Sequence, residues 1–328
     1  MKLISESGSK TASPFFSVCI ETHNRGGTIY RALESLLQQG IDNFECVLVD
    51  DCSNDETLNE VKRFIASSSY SAHPFLLKVY QNENHLGGVL NWNSPLEFAT
   101  GKYIAVLEGD DYFQAEHLKK AQALLFKMPN VGIYATGSQR ALRPLKGLIP
   151  AKEYFQYTYQ IINVSPPSET IFIRLDKSGV PWKYDVTNNS YAPELQLLLA
   201  ISSDGWDAFH TTGADVYREP STSNTNMSWK YFDDKFKIIK KYKNHSYISD
   251  GEFRQSFKRQ FVLSVRRYLV SDFQKKGKPE SIRIGIEKVL VDKDFEGVGK
   301  YRLIFSLIIF LKKIKFFAFY FSIKKKTA

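Results

Sequence analysis

Along the first half of the chain, short apolar runs alternate with stretches whose apolar positions recur every three or four residues. Phe16-Ser-Val-Cys-Ile reads as a buried strand. From Gly27 the apolar positions are Ile29, Ala32, Leu33, Leu36 and Leu37, one face of a helix. Gly40 ends it. Phe44–Val49 is the next strand, closing on Asp50-Asp51. A turn cluster, Cys52-Ser-Asn-Asp, leads into a second helix carrying Leu58, Val61, Phe64 and Ile65. Phe75–Tyr80 is a third strand. A Gly-Gly turn and a helix over about 86–99 precede a fourth, Tyr103–Leu107, and the alternation continues through Val131–Ala135. Strand and helix in turn predict βαβ units, a mostly parallel central sheet flanked by helices, and so an α/β fold.

The second half is less regular. Residues 149–167 are rich in aromatics and are expected to wrap the sheet. Glu169–Arg174 reads as a further strand, Leu195–Ile201 as a helix, and Ala208–Tyr217 as strand-like. From Trp229 to Leu290 the pattern is helical, with many lysines and aromatics. Residues 1–14 have no apolar run, so they read as a disordered leader and not as a signal peptide. The organisation expected is a leader (1–14), an α/β domain (15–220), a helical C-terminal extension (221–299) and a tail (300–328).

Polar residues gather where these strands end. After the first come Glu21-Thr-His-Asn-Arg, and after the second Asp50 and Asp51. Asn82-Glu-Asn-His-Leu-Gly-Gly follows the third, and Glu108-Gly-Asp-Asp the fourth. Ligands of open parallel sheets bind at the carboxyl ends of strands, and four polar clusters at equivalent ends are more than ordinary loops require. Three carboxylates within four positions, Glu108, Asp110 and Asp111, repel one another unless a cation sits among them. One reading is a solvated turn, since Gly and Asp favour turns. The other is a site for Mg²⁺ or Mn²⁺, which prefer carboxylate oxygens and often share a substrate's phosphates. The Gly-rich phosphate cradles GxxxxGK[ST] and GxGxxG are both missing.

Composition narrows the picture. The chain is 43% hydrophobic and 14% aromatic, enough for a packed core. Three cysteines, Cys19, Cys46 and Cys52, make no disulfide framework or zinc spacing and fit a reducing compartment. The net charge is +9, but residues 300–328 hold eight Lys and Arg and no acid, which leaves +1 for residues 1–299. The basic character belongs to the tail, so nucleic acid is not the expected partner. No two of the six histidines have a metal spacing such as HxxxH.

Taken together and in register, FSVCIETHNRGGTIYRALESLLQQ, FECVLVDDCSNDET, NENHLGG and the strand before LEGDDYF resemble the family 2 glycosyltransferases. The likeness covers residues 15–220. It implies a GT-A fold with a Rossmann-like sheet. It also implies inverting transfer of a sugar from a nucleotide-diphospho-sugar, with a UDP-sugar as first expectation, using Mn²⁺ or Mg²⁺. By resemblance Glu21, Thr22, Asn24 and Arg25 match the first nucleotide-binding loop, with His23 where the family usually has Tyr. Asp50 and Asp51 match the pair that contacts base and ribose, and Asn84 and Gly87 match the loop beside the nucleotide. Asp110 and Asp111 match the metal-binding acids, and Glu108 replaces a more usual Asp.

Inverting transfer needs a base for the acceptor proton. In similar proteins it stands at the start of a helix in a motif E-D-x-[DE]-L. Here the stretch is Tyr191-Ala-Pro-Glu-Leu, with Ala192 at the usual Asp position and Glu194 as the carboxylate left. Pro193 suits a first helical turn. A plain helix-dipole role is the other reading of Glu194, and Asp185 and Asp204 are weaker candidates. Arg218, in a segment resembling Y-R-x-x-x-S-x-S, is either a diphosphate ligand or a surface arginine.

In the tail, the apolar runs Leu303–Leu311 and Phe316–Ile323 are split and followed by lysines. A spanning helix needs about 20 mostly apolar residues, so an interfacial helix on anionic lipid is expected, with a core or dimer helix as the alternative. The whole then reads as a cytoplasmic enzyme, peripheral on the inner face of the cell membrane. It would build a surface polysaccharide on a glycan or lipid-linked acceptor. A sugar-nucleotide hydrolase and a catalytically inactive nucleotide-binding scaffold are the rival readings.

Overall fold

The computed structural model describes residues 1–8, 13–136, 146–160, 171–186, 193–211, 216–217, 229–273, 283–284, 286–287, 289–290 and 299–313. The chain falls into two compact units, Met1–Ser223 and Asn224–Ala328.

Among the described residues, the first unit is built on a nine-stranded sheet, ordered β1-β4-β3-β2-β5-β9-β7-β10-β8. Its strands are β1 (Lys2–Ser7), β2 (Phe16–Thr22), β3 (Phe44–Asp50), β4 (Leu76–Gln81) and β5 (Tyr103–Val106). Further along come β7 (Val131–Thr136), β8 (Gly147–Ile149), β9 (Ile171–Ile173) and β10 (Asp207–Thr211). The run β4-β3-β2-β5 is parallel throughout. Every residue of β3 is buried, as a strand covered on both faces must be. Helix α1 (Ile29–Leu36) turns Ile29, Ala32, Leu33 and Leu36 to the core, and α2 (Thr57–Ile65) does the same with Val61 and Phe64.

Four expectations change. Residues 2–7, expected to be disordered, form β1, which pairs antiparallel with β4. Without it, β4 would be the sheet edge, with unpaired N–H and C=O groups. Gly8, at φ 92°, ends β1 where a Cβ would stand 1.9 Å from the Phe75 carbonyl oxygen. The helix expected over 86–99 is a short helix (Gly88–Asn91) and a 3₁₀ turn at Pro95–Glu97, because proline has no N–H to continue a helix. Strand β9 is antiparallel to both β5 and β7, so the sheet beyond β5 is mixed. The strand-like stretch 208–217 divides into β10 and β11 (Val216–Tyr217). β11 leaves the main sheet to pair with β6 (Tyr112–Phe113).

The aromatic stretch after 149 begins with a helix (Ala151–Gln160), which buries Tyr154, Phe155 and Tyr159; residues 161–170 lie outside the described part.

The parallel run is pinned at its amino end. Glu45, at 0% exposure, accepts hydrogen bonds from Ser17 Oγ (2.6 Å), Lys78 Nζ (2.7 Å) and the Thr100 amide (2.6 Å). Burial alone would raise its pKa, but Lys78, Ser17 and Thr100 together outweigh that and hold it below the usual range. All polar groups of this cluster lie at strand starts, which leaves the opposite ends free for a site.

The second unit contains helices Trp229–Lys241, Asp250–Phe273 and Gly299–Lys313. Phe257 and Phe261 of the long helix pack against Tyr301, and Phe261 also meets Phe305, which is 1% exposed. The same terminal helix leaves Leu303 (76%) and Leu307 (56%) open. No helix among the described residues is long and apolar enough to cross a membrane.

Candidate functional site

The carboxyl ends of β2, β3, β4 and β5 are adjacent, so their four polar loops converge. The first two are sewn together. The Asn24 amide donates to Ser53 Oγ (2.8 Å), and Asn24 Oδ1 accepts from the Asn54 amide (3.0 Å). The Arg25 amide donates to Thr57 Oγ1 (2.7 Å). Asn24 itself has φ 53°, a left-handed position that Asn tolerates better than most residues.

Asp50 and Asp51 are buried at 0% and 1%. Asp50 accepts from the Ser53 hydroxyl, the Ser53 amide (3.0 Å) and Gln81 Nε2 (3.0 Å), which closes the turn after β3. Asp51 accepts from Asn82 Nδ2 (2.8 Å), the Leu86 amide (2.9 Å), the Gly87 amide (2.9 Å) and His85 Nδ1 (2.9 Å). Burial would raise Asp51, but Leu86, Asn82, Gly87 and His85 outweigh it and hold it below the usual range. The pair expected to touch base and ribose holds loops in place at this sheet edge. Asn84 is exposed on the loop that Asp51 anchors, and Gly87, at φ 85°, turns it. His23 joins this cluster through Asp51 O (2.7 Å), with its ring 4.2 Å from that of His85. Sequence spacing gave no sign of the two histidines meeting.

The acidic motif closes the row. Glu108, Asp110 and Asp111 each bring an oxygen within 4.8 Å of the others. Gly109 is required between them, since a Cβ there would lie 2.8 Å from the Thr22 hydroxyl. Thr22 is 3% exposed, so it packs beneath the motif. Arg25 reaches Asp110 Oδ2 at 3.2 Å. An all-carboxylate donor set of this kind fits a hard divalent cation such as Mg²⁺ or Mn²⁺.

Beside the motif is an open cleft lined by Glu21, Glu108, Glu194, Trp92 and Tyr184 among others. Glu21 thus lines the cleft with Glu108, while Asn24 and Arg25 lie in the sewn loop. Burial, and then the Glu108 carboxylate, push the Glu21 carboxyl well above its usual range. Glu194 enters from the first turn of the helix Pro193–Ser203. Asp204, beyond the far end of that helix, accepts from the Lys177 amide (2.8 Å) and Trp206 Nε1 (3.0 Å), and does not line the cleft. Asp185 follows Tyr184 and is also absent from the lining. Arg218 lies outside the described residues, although β11 just before it pairs with β6 just after Asp111. Trp92 and Tyr184 escape sequence reasoning, because neither sits in a motif.

Residues 17–173 match the family model described as glycosyl transferase family 2. Over this stretch the chain is similar to that family. Two curated family relatives are TarS of Staphylococcus aureus and AmsB of Erwinia amylovora. TarS, a poly(ribitol-phosphate) beta-N-acetylglucosaminyltransferase, is 36% identical over 113 residues, covering 34% of this chain and 18% of TarS. AmsB, an amylovoran biosynthesis glycosyltransferase, is 26% identical over 177 residues, covering 50% of this chain and 57% of AmsB. In both, the match spans less than two thirds of the relative. Among solved structures, TarS 1–349 with UDP-GlcNAc superposes with a TM-score of 0.62 at 19% identity, covering 84% of this chain and 80% of that one. The mannosyltransferase PcManGT of Pyrobaculum calidifontis, with GDP-Man and Mn²⁺, gives 0.54 at 15% identity over 93% of this chain and 82% of its own. The structural matches show that this chain has the GT-A fold of these enzymes.

Proposed function

We propose that this chain is an inverting glycosyltransferase, moving a sugar from a nucleotide-diphospho-sugar, first of all a UDP-sugar, to an acceptor hydroxyl. The observation that carries the reading is the carboxylate cluster Glu108–Asp110–Asp111 opening onto the cleft that holds Glu194. Asp110 and Asp111 would hold Mn²⁺ or Mg²⁺, which when bound neutralises the diphosphate and stabilises it as a leaving group. Arg25 stands at the same end, and the loops held by Asp50 and Asp51 shape the nucleotide side. Glu194 takes the proton from the acceptor hydroxyl. The hydroxyl oxygen bonds to the anomeric carbon from the face opposite the departing diphosphate, which leaves with the electrons of the broken C–O bond. Trp92 and Tyr184 wall the cleft and limit water.

The setting proposed is cell-surface polysaccharide synthesis on a lipid-linked acceptor at the cytoplasmic face of the membrane. Support comes from the AmsB and TarS likenesses and from the open leucines of the helix Gly299–Lys313. The test is a thermal-shift panel of nucleoside diphosphates with Mn²⁺, followed by sugar release with and without acceptor. Binding to the native state alone raises apparent stability. Release that needs an acceptor supports transfer. Release without one indicates a hydrolase, and binding without release an inactive binder.

A further inference from the structure

His23, on the loop after β2, and His85, on the loop after β4, converge on Asp51, which follows β3. The His23 Nδ1–H donates to the Asp51 main-chain oxygen (2.7 Å). His85 Nδ1 lies 2.9 Å from Asp51 Oδ2 and 3.2 Å from that same main-chain oxygen. The rings stand 4.2 Å apart. One ring nitrogen of each and one Asp51 carboxylate oxygen all lie within 4.8 Å of one another. The carboxylate is fixed by Asn82 Nδ2 (2.8 Å) and by the Leu86 and Gly87 amides (2.9 Å each). Asn82 donates in turn to Asn91 Oδ1 (2.9 Å). Outer contacts of this kind orient a ligating group before a metal arrives. The His85 side chain is 53% exposed, which leaves an ion a way in.

We propose that His23, His85 and Asp51 form a metal site separate from the acidic motif, for Zn²⁺ or a similar borderline divalent ion, and that the ion ties the loop after β4 to the loop after β2. The inference does not depend on the transferase reading. Two imidazole nitrogens with one carboxylate oxygen favour such an ion over Mg²⁺, which prefers oxygen donors. Three protein ligands with water in the fourth position is a common zinc arrangement, and the exposed side of His85 admits the water. Donors of a tetrahedral ion bound at ~2.1 Å stand ~3.4 Å apart, so the contact between His85 and Asp51 has to open by only roughly half an ångström. The ion takes the place of the two Nδ1 protons, and each imidazole then carries its proton on Nε2. Asn24, an exposed side chain, gives up its contact with His23 Nε2 (3.1 Å). Cys52, next to Asp51, donates its thiol to the Asn82 carbonyl (3.0 Å) and stays outside the ligand set.

The experiment uses the full chain without an affinity tag, stripped of metal, and Zn²⁺ itself. Competition with a chromophoric chelator should show a single tight equivalent per chain. Co²⁺ in its place should give the visible bands of four-coordinate cobalt. His85→Gln and His23→Gln should each weaken zinc binding at least about tenfold. Each should also remove the rise in melting temperature that Zn²⁺ gives the wild type, since an ion held only by the native state stabilises it. The double variant Asp110→Asn with Asp111→Asn should bind Zn²⁺ as the wild type does, and excess Mg²⁺ should not displace it. Melting in chelator checks that each variant is folded. His85 is half exposed, so its variant decides the matter if His23→Gln fails to fold. The inference is overturned if the wild type binds no tight equivalent, or if the histidine variants bind as well as the wild type. Loss of zinc binding in the Asp110 and Asp111 double variant overturns it too, because the ion then belongs to the acidic motif.

Discussion

Asp50 and Asp51 are adjacent and equally buried, yet they serve different loops. Asp50 closes its own turn through Ser53, and Asp51 gathers the amides of Leu86 and Gly87. The acids of the next strand differ in kind, because Glu108, Asp110 and Asp111 lie within reach of one cation. Asp110→Asn and Asp111→Asn should therefore each remove Mn²⁺-dependent donor turnover while the melting temperature holds. Metal stabilisation of a leaving group is worth several kcal/mol, a loss of at least about a hundredfold. A metal titration of nucleotide release checks this, and full turnover by both variants would reject the metal site. Glu194→Gln should keep nucleotide binding and lower transfer by about 10²–10⁴, because the amide preserves shape but takes no proton. A near-wild-type rate in a single-turnover assay would move the base elsewhere.

At the scale of elements, the terminal helix Gly299–Lys313 has two sides. Phe305 is sealed against Phe261, and Tyr301 packs on Phe257. Leu303 and Leu307 face outward. A core or dimer role would explain the first side, and a membrane-facing role the second. Removing residues 300–328 outright would uncover Phe257 and Phe261, so truncation mixes folding with attachment. The cleaner change is Leu303→Gln with Leu307→Gln. It should leave thermal unfolding within about 0.5 kcal/mol, as expected for surface sites. Binding to vesicles containing anionic lipid should fall at least about tenfold, since each buried leucine contributes roughly 1.5–3 kcal/mol. Unchanged co-sedimentation would show that this face does not meet lipid.

Over the whole first unit, the buried polar lock and the converging loops occupy opposite ends of the sheet. Glu45, Ser17, Lys78 and Thr100 lock the strand starts, and the converging loops lie at the strand ends. Glu45 has its pKa lowered in the folded state, so its stabilising contribution is full above its unfolded value of about 4.3 and is lost as pH falls through the folded value. Melting temperature should decline below about pH 5. Glu45→Gln should melt lower than wild type at pH 7 and lose less on acidification. Parallel pH–melting curves for the two proteins would remove Glu45 from the account of acid sensitivity. Gly101 belongs to the same lock, since a Cβ there would stand 2.5 Å from the Ser17 amide nitrogen.

What the sequence by itself determined is the alternation from β2 to β7 and the gathering of polar loops at one sheet edge. Helical and strand periods are local, and parallel strands bring their carboxyl ends to one side whatever the loops contain. The buried face of α1 was legible for the same reason, residue by residue. Tertiary structure alone decided that Lys2–Ser7 is a strand, because that depends on β4 needing a partner and not on any pattern in residues 2–7. It also decided that β9 runs antiparallel, that His23 and His85 meet over Asp51, and that Glu21, Glu108, Glu194 and Tyr184 share one cleft. Those groups come from separate stretches of chain. Their approach is set by long-range packing, in which a single edge or a missing Cβ selects among arrangements that local propensity cannot distinguish.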